Sequence, residues 1–151
     1  MFGFSLYEDF REFIIALNKN AVRYLVVGGY AVVYHGYNRT TGDLDIWVEQ
    51  TEENYKKLVR AFLDFGFPTN AFSKQDFLDN QNDVYTFGRP PVCIEILTGV
   101  KGLEFDSAFQ NALKIKLDEI EVNIIDLPDL LKAKRAANRY KDLDDIQHLT
   151  N

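Results

Sequence analysis

The sequence predicts one α+β or α/β domain in which a mixed β-sheet carries helices packed against it. Three observations lead there. Segments with helical apolar spacing alternate with short β-branched ones, glycines and polar caps fall at their junctions, and no repeat, low-complexity tract or linker divides the 151 residues. A chain of this length, with 46% apolar residues, falls in the range of a single domain with a real core, so residues 1–151 are expected to form one unit.

Each element has a local reason. From Ser5, the side chains Leu6, Phe10, Phe13, Ile14 and Leu17 recur at helical spacing, and Glu8 follows Ser5 in a capping-box arrangement. The stretch VRYLVVGG, 22–29, is short, apolar and β-branched, and stops at Gly28 and Gly29 as a buried strand running into a turn would. YAVVYHG then reads as a short helix placing Ala31, Val32 and Val33 on the sheet and ending at Gly36. After the polar loop NRTTGD, the strand LDIWVE alternates Leu44, Ile46 and Val48 against Asp43, Asp45 and Trp47.

Thr51 to Phe65 reads as an amphipathic helix. Thr51 caps it, Glu52 and Glu53 suit its positive end, Tyr55, Leu58, Val59, Phe62 and Leu63 form the apolar stripe, and Gly66 ends it. Residues 73–80 suggest a further short helix, and DVYTFG and VCIEIL read as strands joined through Gly88, Arg89, Pro90 and Pro91. Gly99 to Asn111 reads as loop with a short helical piece. EVNIIDL is a further strand, and Pro128–Asn138 and Lys141–Leu149 are helices, the first starting near Asp126 with Pro128 in its first turn.

Composition narrows the function classes. The net charge of -6 supplies no overall field that would draw in a polyanion, which argues against a dedicated nucleic-acid binder and leaves room only for a local basic patch. Cys93 stands alone, so there is no internal disulfide framework and a reducing compartment is expected. The N-terminal MFGFSLYEDFREF has no basic segment followed by a long apolar one, and no apolar run reaches ~18 residues. The expectation is a cytoplasmic protein without a membrane span.

Asp43 and Asp45 carry the chemistry. Side chains two apart on a strand share a face, so these carboxylates would stand roughly 6 to 7 Å apart and repel one another. A hard divalent cation compensates such a pair, since Mg²⁺ takes oxygen ligands and is commonly held by one or two carboxylates plus substrate phosphates. A merely polar outer face would give the same spacing. Gly28 and Gly29, directly after a buried strand, would let the backbone approach a ligand such as a phosphate closely, or would serve a tight turn alone. No Gly-Lys-Ser/Thr follows them, so this is not a P-loop, and GGYAVVYHG lacks the dinucleotide fingerprint. His35 and His148 sit in no ligand constellation, and Trp47 could stack on a base or be covered as core.

Residues 25–46, LVVGGYAVVYHGYNRTTGDLDI, resemble the signature of the polymerase-beta-like nucleotidyltransferase superfamily. That signature is a strand, a Gly-Gly or Gly-Ser step, a spacer (here Tyr30 to Gly42), then an aspartate, an apolar residue and a second acid. Arg39 and Thr40 before GDLDI resemble the small branch that includes AbiEii-like toxins and antibiotic nucleotidyltransferases. The family's third carboxylate falls on Glu95 in CIEIL, and LLKAKRAANRYKDLDDIQHL resembles its closing helices, here 126–149, with Lys134, Arg139, Lys141 and Asp142 at the recurring positions.

The resemblance implies an α+β nucleotidyltransferase fold and a Mg²⁺- or Mn²⁺-dependent transfer of a nucleoside monophosphate from a nucleoside triphosphate to an acceptor hydroxyl. Asp43, Asp45 and Glu95 would be catalytic and metal-binding, with Glu95 able to take the hydroxyl proton. Gly28, Gly29, Arg39, Thr40, Thr41, Lys134 and Arg139 would meet the nucleotide, and Asp142 would pair with a basic neighbour and hold the closing helices in register. A member of the fold that binds nucleotide or a partner without catalysis is the alternative, and a purely structural protein a more distant one. The acceptor could be a small molecule, tRNA or a protein, and a homo-oligomer or a protein partner is compatible with the sequence.

Overall fold

A computed structural model describes residues 8–80 and 83–151, with Val92 described by its backbone alone. Thirteen elements follow in the order α1 (Glu8–Lys19), β1 (Tyr24–Val27), α2 (Gly28–Tyr34), β2 (Asp43–Val48), α3 (Glu52–Phe65), α4 (Lys74–Asp79), β3 (Val84–Arg89), β4 (Val92–Leu97), α5 (Phe105–Asn111), β5 (Leu113–Leu117), β6 (Ile120–Ile124), α6 (Leu127–Ala137) and α7 (Tyr140–Thr150). The expected capping pair Ser5 and Glu8, and the position of Leu6, involve residues outside the described ones.

The strands form one six-stranded sheet in the order β3-β4-β2-β1-β6-β5. The pairs β2/β4 and β1/β6 are parallel, and the pairs β3/β4, β1/β2 and β5/β6 are antiparallel. The sheet is therefore mixed, with helices against it, as an α+β fold requires.

The pleat separates two faces. Leu44 and Ile46 pair with Ile94 and Ile96, Phe87 pairs with Ile94, and Phe87 in turn meets the ring of Phe62 from α3, which meets Phe13 from α1. That face is the core: Phe10, Phe13, Leu17, Leu44, Ile46 and Ile96 are all fully buried. The opposite face carries Asp43, Asp45 and Trp47 of β2, Glu95 and Leu97 of β4, and Thr86 of β3. Trp47 is covered there by Phe105 of α5, edge to face at 5.2 Å, so it is core and offers no ring to a base.

Caps fall where the sequence places them. Thr51 accepts from the Asn54 N–H at the start of α3, Gly66 ends it in the left-handed region at φ 100°, and Asp126 accepts from the Asp129 N–H to open α6. Four details differ from expectation. The second helix begins at Gly28 itself rather than after the glycines. Leu63, assigned to the apolar stripe of α3, is 68% exposed. At the other end of α3, Asn54 is buried, its amide hydrogen-bonded to the Arg23 N–H and to the Arg23 and Glu49 carbonyls at 2.8, 3.0 and 2.9 Å. Lastly, β5 is a strand to which the sequence reading assigned no structure, and β6 stops at Ile124 because Asp126 is already committed to capping α6.

Candidate active site

Register brings the acids together. Asp45 on β2 is the direct partner of Glu95 on β4, Asp43 is the partner of Cys93, and Val27 on β1 flanks Asp45 from the other side. Parallel neighbours lie ~4.8 Å apart, so Asp45 and Glu95 share one patch of the sheet face. Glu95 stands within hydrogen-bonding reach of both aspartates.

The electrostatic cost is visible. Burial, then the charges of Glu95 and Asp43, pushes the Asp45 carboxyl up to about 7. Burial and the hydrogen bond and charge of Asp43 raise Glu95 as well, opposed by Asp45 and by the nearby Lys141. Asp45 Oδ1 is buried with no hydrogen-bond partner. Among the described residues no three acids, histidines or cysteines already stand at metal-ligating spacing. An orphaned carboxylate oxygen in an all-oxygen donor set nonetheless fits a hard divalent ion.

The two glycines have a specific cause. Gly28 sits at φ 68°, and a Cβ there would overlap the Asp45 carboxylate. A Cβ at Gly29 would overlap the Thr41 hydroxyl, and the Arg39 Nη1 lies 3.5 Å from the same point. The start of α2, the end of the 35–42 loop and the acidic strand thus close on one another at backbone distance.

The basic residues are arranged differently from expectation. Arg39, assigned to phosphate, makes a two-pronged pair with Asp145 on α7, Nε to Oδ1 at 2.9 Å and Nη2 to Oδ2 at 3.1 Å, and donates Nη1 to the Thr40 carbonyl. Lys134, expected to face phosphates, lies buried with its Nζ 3.0 Å from Asp145 and 3.4 Å from Asp142. Arg139 grips the same Asp142 at 2.7 Å while remaining 60% exposed. The result is a chain of alternating charge, Arg39, Asp145, Lys134, Asp142 and Arg139, tying the loop before β2 to both closing helices. Burial would raise Asp142 and Asp145, but hydrogen bonds from Arg139, and from Arg39 and Lys134, hold both below the usual carboxylate range. Around it, Tyr37 donates to Asp144 at 2.8 Å and stacks on His148 at 3.9 Å.

In three dimensions the chain is similar to the crystal structure of a "putative nucleotidyltransferase", TM1012 from Thermotoga maritima. The TM-score is 0.63 over 97% of this chain and 96% of that one, at 14% sequence identity. The two chains share one fold. No protein-family model and no curated protein matches the sequence. At such identity the likeness concerns architecture, so the chemistry rests on this chain's own side chains.

Within this fold, a pocket of about 460 Å³ opens beside the acids, with Asp45, Gly28 and Lys134 among its walls. Its remaining lining is largely apolar and comes from the end of β4, the loop after it and α6. Sequence reading missed two contributors, Asp145 and the pocket itself. Asp145 had a signal in the Asp-Leu-Asp-Asp spacing of α7, which sets Asp142 and Asp145 on one face of the helix. The pocket's apolar walls had none, because Leu, Val and Ala in a strand or helix read as core.

Proposed function

We propose that the protein is a divalent-cation-dependent nucleotidyltransferase that moves a nucleoside monophosphate from a nucleoside triphosphate to an acceptor hydroxyl. The observation that carries this reading is the convergence of Asp43, Asp45 and Glu95 on one sheet face, where an Asp45 oxygen is buried without a partner. Glu95 facing both aspartates favours catalysis over binding alone.

Asp43, Asp45 and Glu95 are the residues that would hold Mg²⁺ or Mn²⁺, which when bound would gather the triphosphate oxygens and offset the charge of an in-line displacement. Glu95 takes the acceptor proton as the acceptor oxygen bonds to the α-phosphorus. The bond from that phosphorus to its bridging oxygen breaks, and pyrophosphate leaves with the electron pair. Lys141 sets a positive charge near Glu95 that opposes the upward push of burial and of Asp43 on that carboxyl. Gly28, Gly29, Thr40 and Thr41 form the floor on which phosphates would rest. Arg39 and Lys134 act through Asp145 by fixing that floor, and Arg139 keeps one exposed edge for an anion.

The likeness of residues 39–46 to AbiEii-like toxins and antibiotic nucleotidyltransferases puts tRNA and small hydroxylated molecules beside proteins in the acceptor screen. A cytoplasmic setting agrees with the unpaired Cys93 and the need for triphosphates. The test is incubation with each of the four α-labelled triphosphates, Mg²⁺ and separate pools of small molecules, total tRNA and protein. One pool becomes labelled with release of pyrophosphate, and Glu95→Gln lowers the rate ~10²- to 10⁴-fold while triphosphate binding persists. Absence of label in every pool, together with a protein partner that co-purifies in stoichiometric amount, would replace this reading with a binding module.

A further inference from the structure

We infer that the pocket beside Asp45 holds the nucleobase of the triphosphate and holds it by shape alone, so that the protein accepts all four bases with little discrimination. The inference rests on the nucleotidyltransferase reading and goes on to its specificity.

The pocket, at about 460 Å³, falls within the roughly 300–1,000 Å³ usual for small-molecule sites. It is a slot between two surfaces. Leu97 at the end of β4 and Val100 in the following loop form one side, while Leu130, Ala133 and Ala137, spaced to share a face of α6, form the other. Side chains that are small on the helix and branched on the sheet leave room for a flat ring. Asp45 and Gly28 are among the walls, so a ring bound there lies beside the carboxylates that would hold the cation and the phosphates.

Base identity is read most strongly by side-chain donors and acceptors placed on ring edges, and the slot has few of them. Among the described lining residues there is no Asn, Gln, Ser, Thr, Tyr or His. Of its carboxylates, Asp142 is committed to Lys134 and Arg139, and the open oxygen of Asp45 is the one a divalent cation would take. No side chain is left to accept from the amino groups of adenine, guanine or cytosine. The cations Lys101 and Arg139 can only donate, and every natural base offers a ring nitrogen or carbonyl to such a donor. A pocket of this kind discriminates by area and fit, which supports modest ratios, whereas a site that hydrogen-bonds its substrate rejects the wrong one by orders of magnitude more.

Calorimetric titration in Mg²⁺ with ATP, GTP, CTP, UTP and inorganic tripolyphosphate tests this. The four nucleotides bind within ~10-fold of one another, as an apolar pocket allows, and each binds at least ~10-fold more tightly than tripolyphosphate. Ala133→Phe fills the slot and brings the nucleotides down to the tripolyphosphate affinity, which itself stays unchanged. If that variant also loses tripolyphosphate through misfolding, the smaller Ala137→Leu replaces it with the same expected direction. One nucleotide favoured by more than ~100-fold, beyond what such a pocket supplies, would overturn the inference. So would tripolyphosphate binding as well as the nucleotides, or slot-filling variants that leave nucleotide affinity intact, and in those cases the cation and phosphate chemistry proposed above still stands. Failure of every triphosphate to bind the wild-type protein overturns that chemistry, and the inference with it.

Discussion

At Gly28 a single methyl group would meet the Asp45 carboxylate, and the residue already sits at φ 68°. Gly28→Ala therefore adds backbone strain of ~1–3 kcal/mol to an overlap with a side chain that has nowhere to go. It is expected to lower the urea midpoint at unchanged m-value. Gly29→Ala is expected to be costly for a different reason, the Thr41 hydroxyl, and Thr41→Ala should recover part of the loss in a double-mutant cycle. Asp45 works in the other direction. Its carboxyl is held up to about 7, well above its value of ~3.9 in an unfolded chain, so the folded state binds the extra proton. Stability is therefore lost as pH rises through that window. In EDTA, Asp45→Asn should raise Tm relative to wild type by a gap that widens between those two pH values, ~2–4 °C for each kcal/mol relieved in a chain of this size. A gap that is constant or narrows with pH would show that Asp45 carries no such load.

The closing helices form the next scale. Asp145 is only 1% exposed and serves both Arg39 and Lys134, so Asp145→Asn takes from the buried Lys134 ammonium the nearer of its two anions and from Arg39 its carboxylate partner. Breaking a buried pair in this way costs about 3–5 kcal/mol. The loss should show as a fall in denaturant midpoint, and as faster amide exchange in α7 than in β2. Acid acts on the same elements. Asp142 and Asp145 have depressed folded values, so the stability they contribute is fully present above the unfolded aspartate value of ~3.9 and disappears as pH falls through the lower folded values. Wild type should lose stability steeply below that point, and Asp142→Asn should flatten the slope. Much of this scale was legible beforehand. The caps Thr51 and Asp126 and the alternation of β2 are local signals, and each is found where its residues place it. The edge strand β5 was passed over although Leu-Lys-Ile-Lys-Leu alternates as a strand does, because it is short and no Gly or Pro marks where it starts and ends. The partners of Lys134 and Arg39 were hidden for a related reason: only tertiary structure brings an aspartate from α7 to them.

Across the whole molecule, the site depends on contacts that join distant parts of the chain. A triphosphate with Mg²⁺ binds only the folded form and should raise Tm, by ~2.7 kcal/mol of stabilisation at a ligand concentration one hundred times Kd, and EDTA should abolish the shift. An equal shift in EDTA would separate nucleotide binding from the acids. The three acids and the glycine step were legible because short apolar flanks fix their height in the sheet, while the pocket and the charge chain arise only when β4, α6 and α7 meet. That dependence has a consequence for biosynthesis. Arg39 and Asp145 are 106 residues apart, so while the chain is being made the loop before β2 waits for the eleven residues of α7 before its guanidinium is neutralised. The sheet that holds Asp43, Asp45 and Glu95 can form earlier, through β6, yet it lacks the helix that anchors Lys134 and the wall that completes the slot. A nascent chain should therefore pass through a stage that is structured but idle, with nucleotide binding acquired only once the last helix docks.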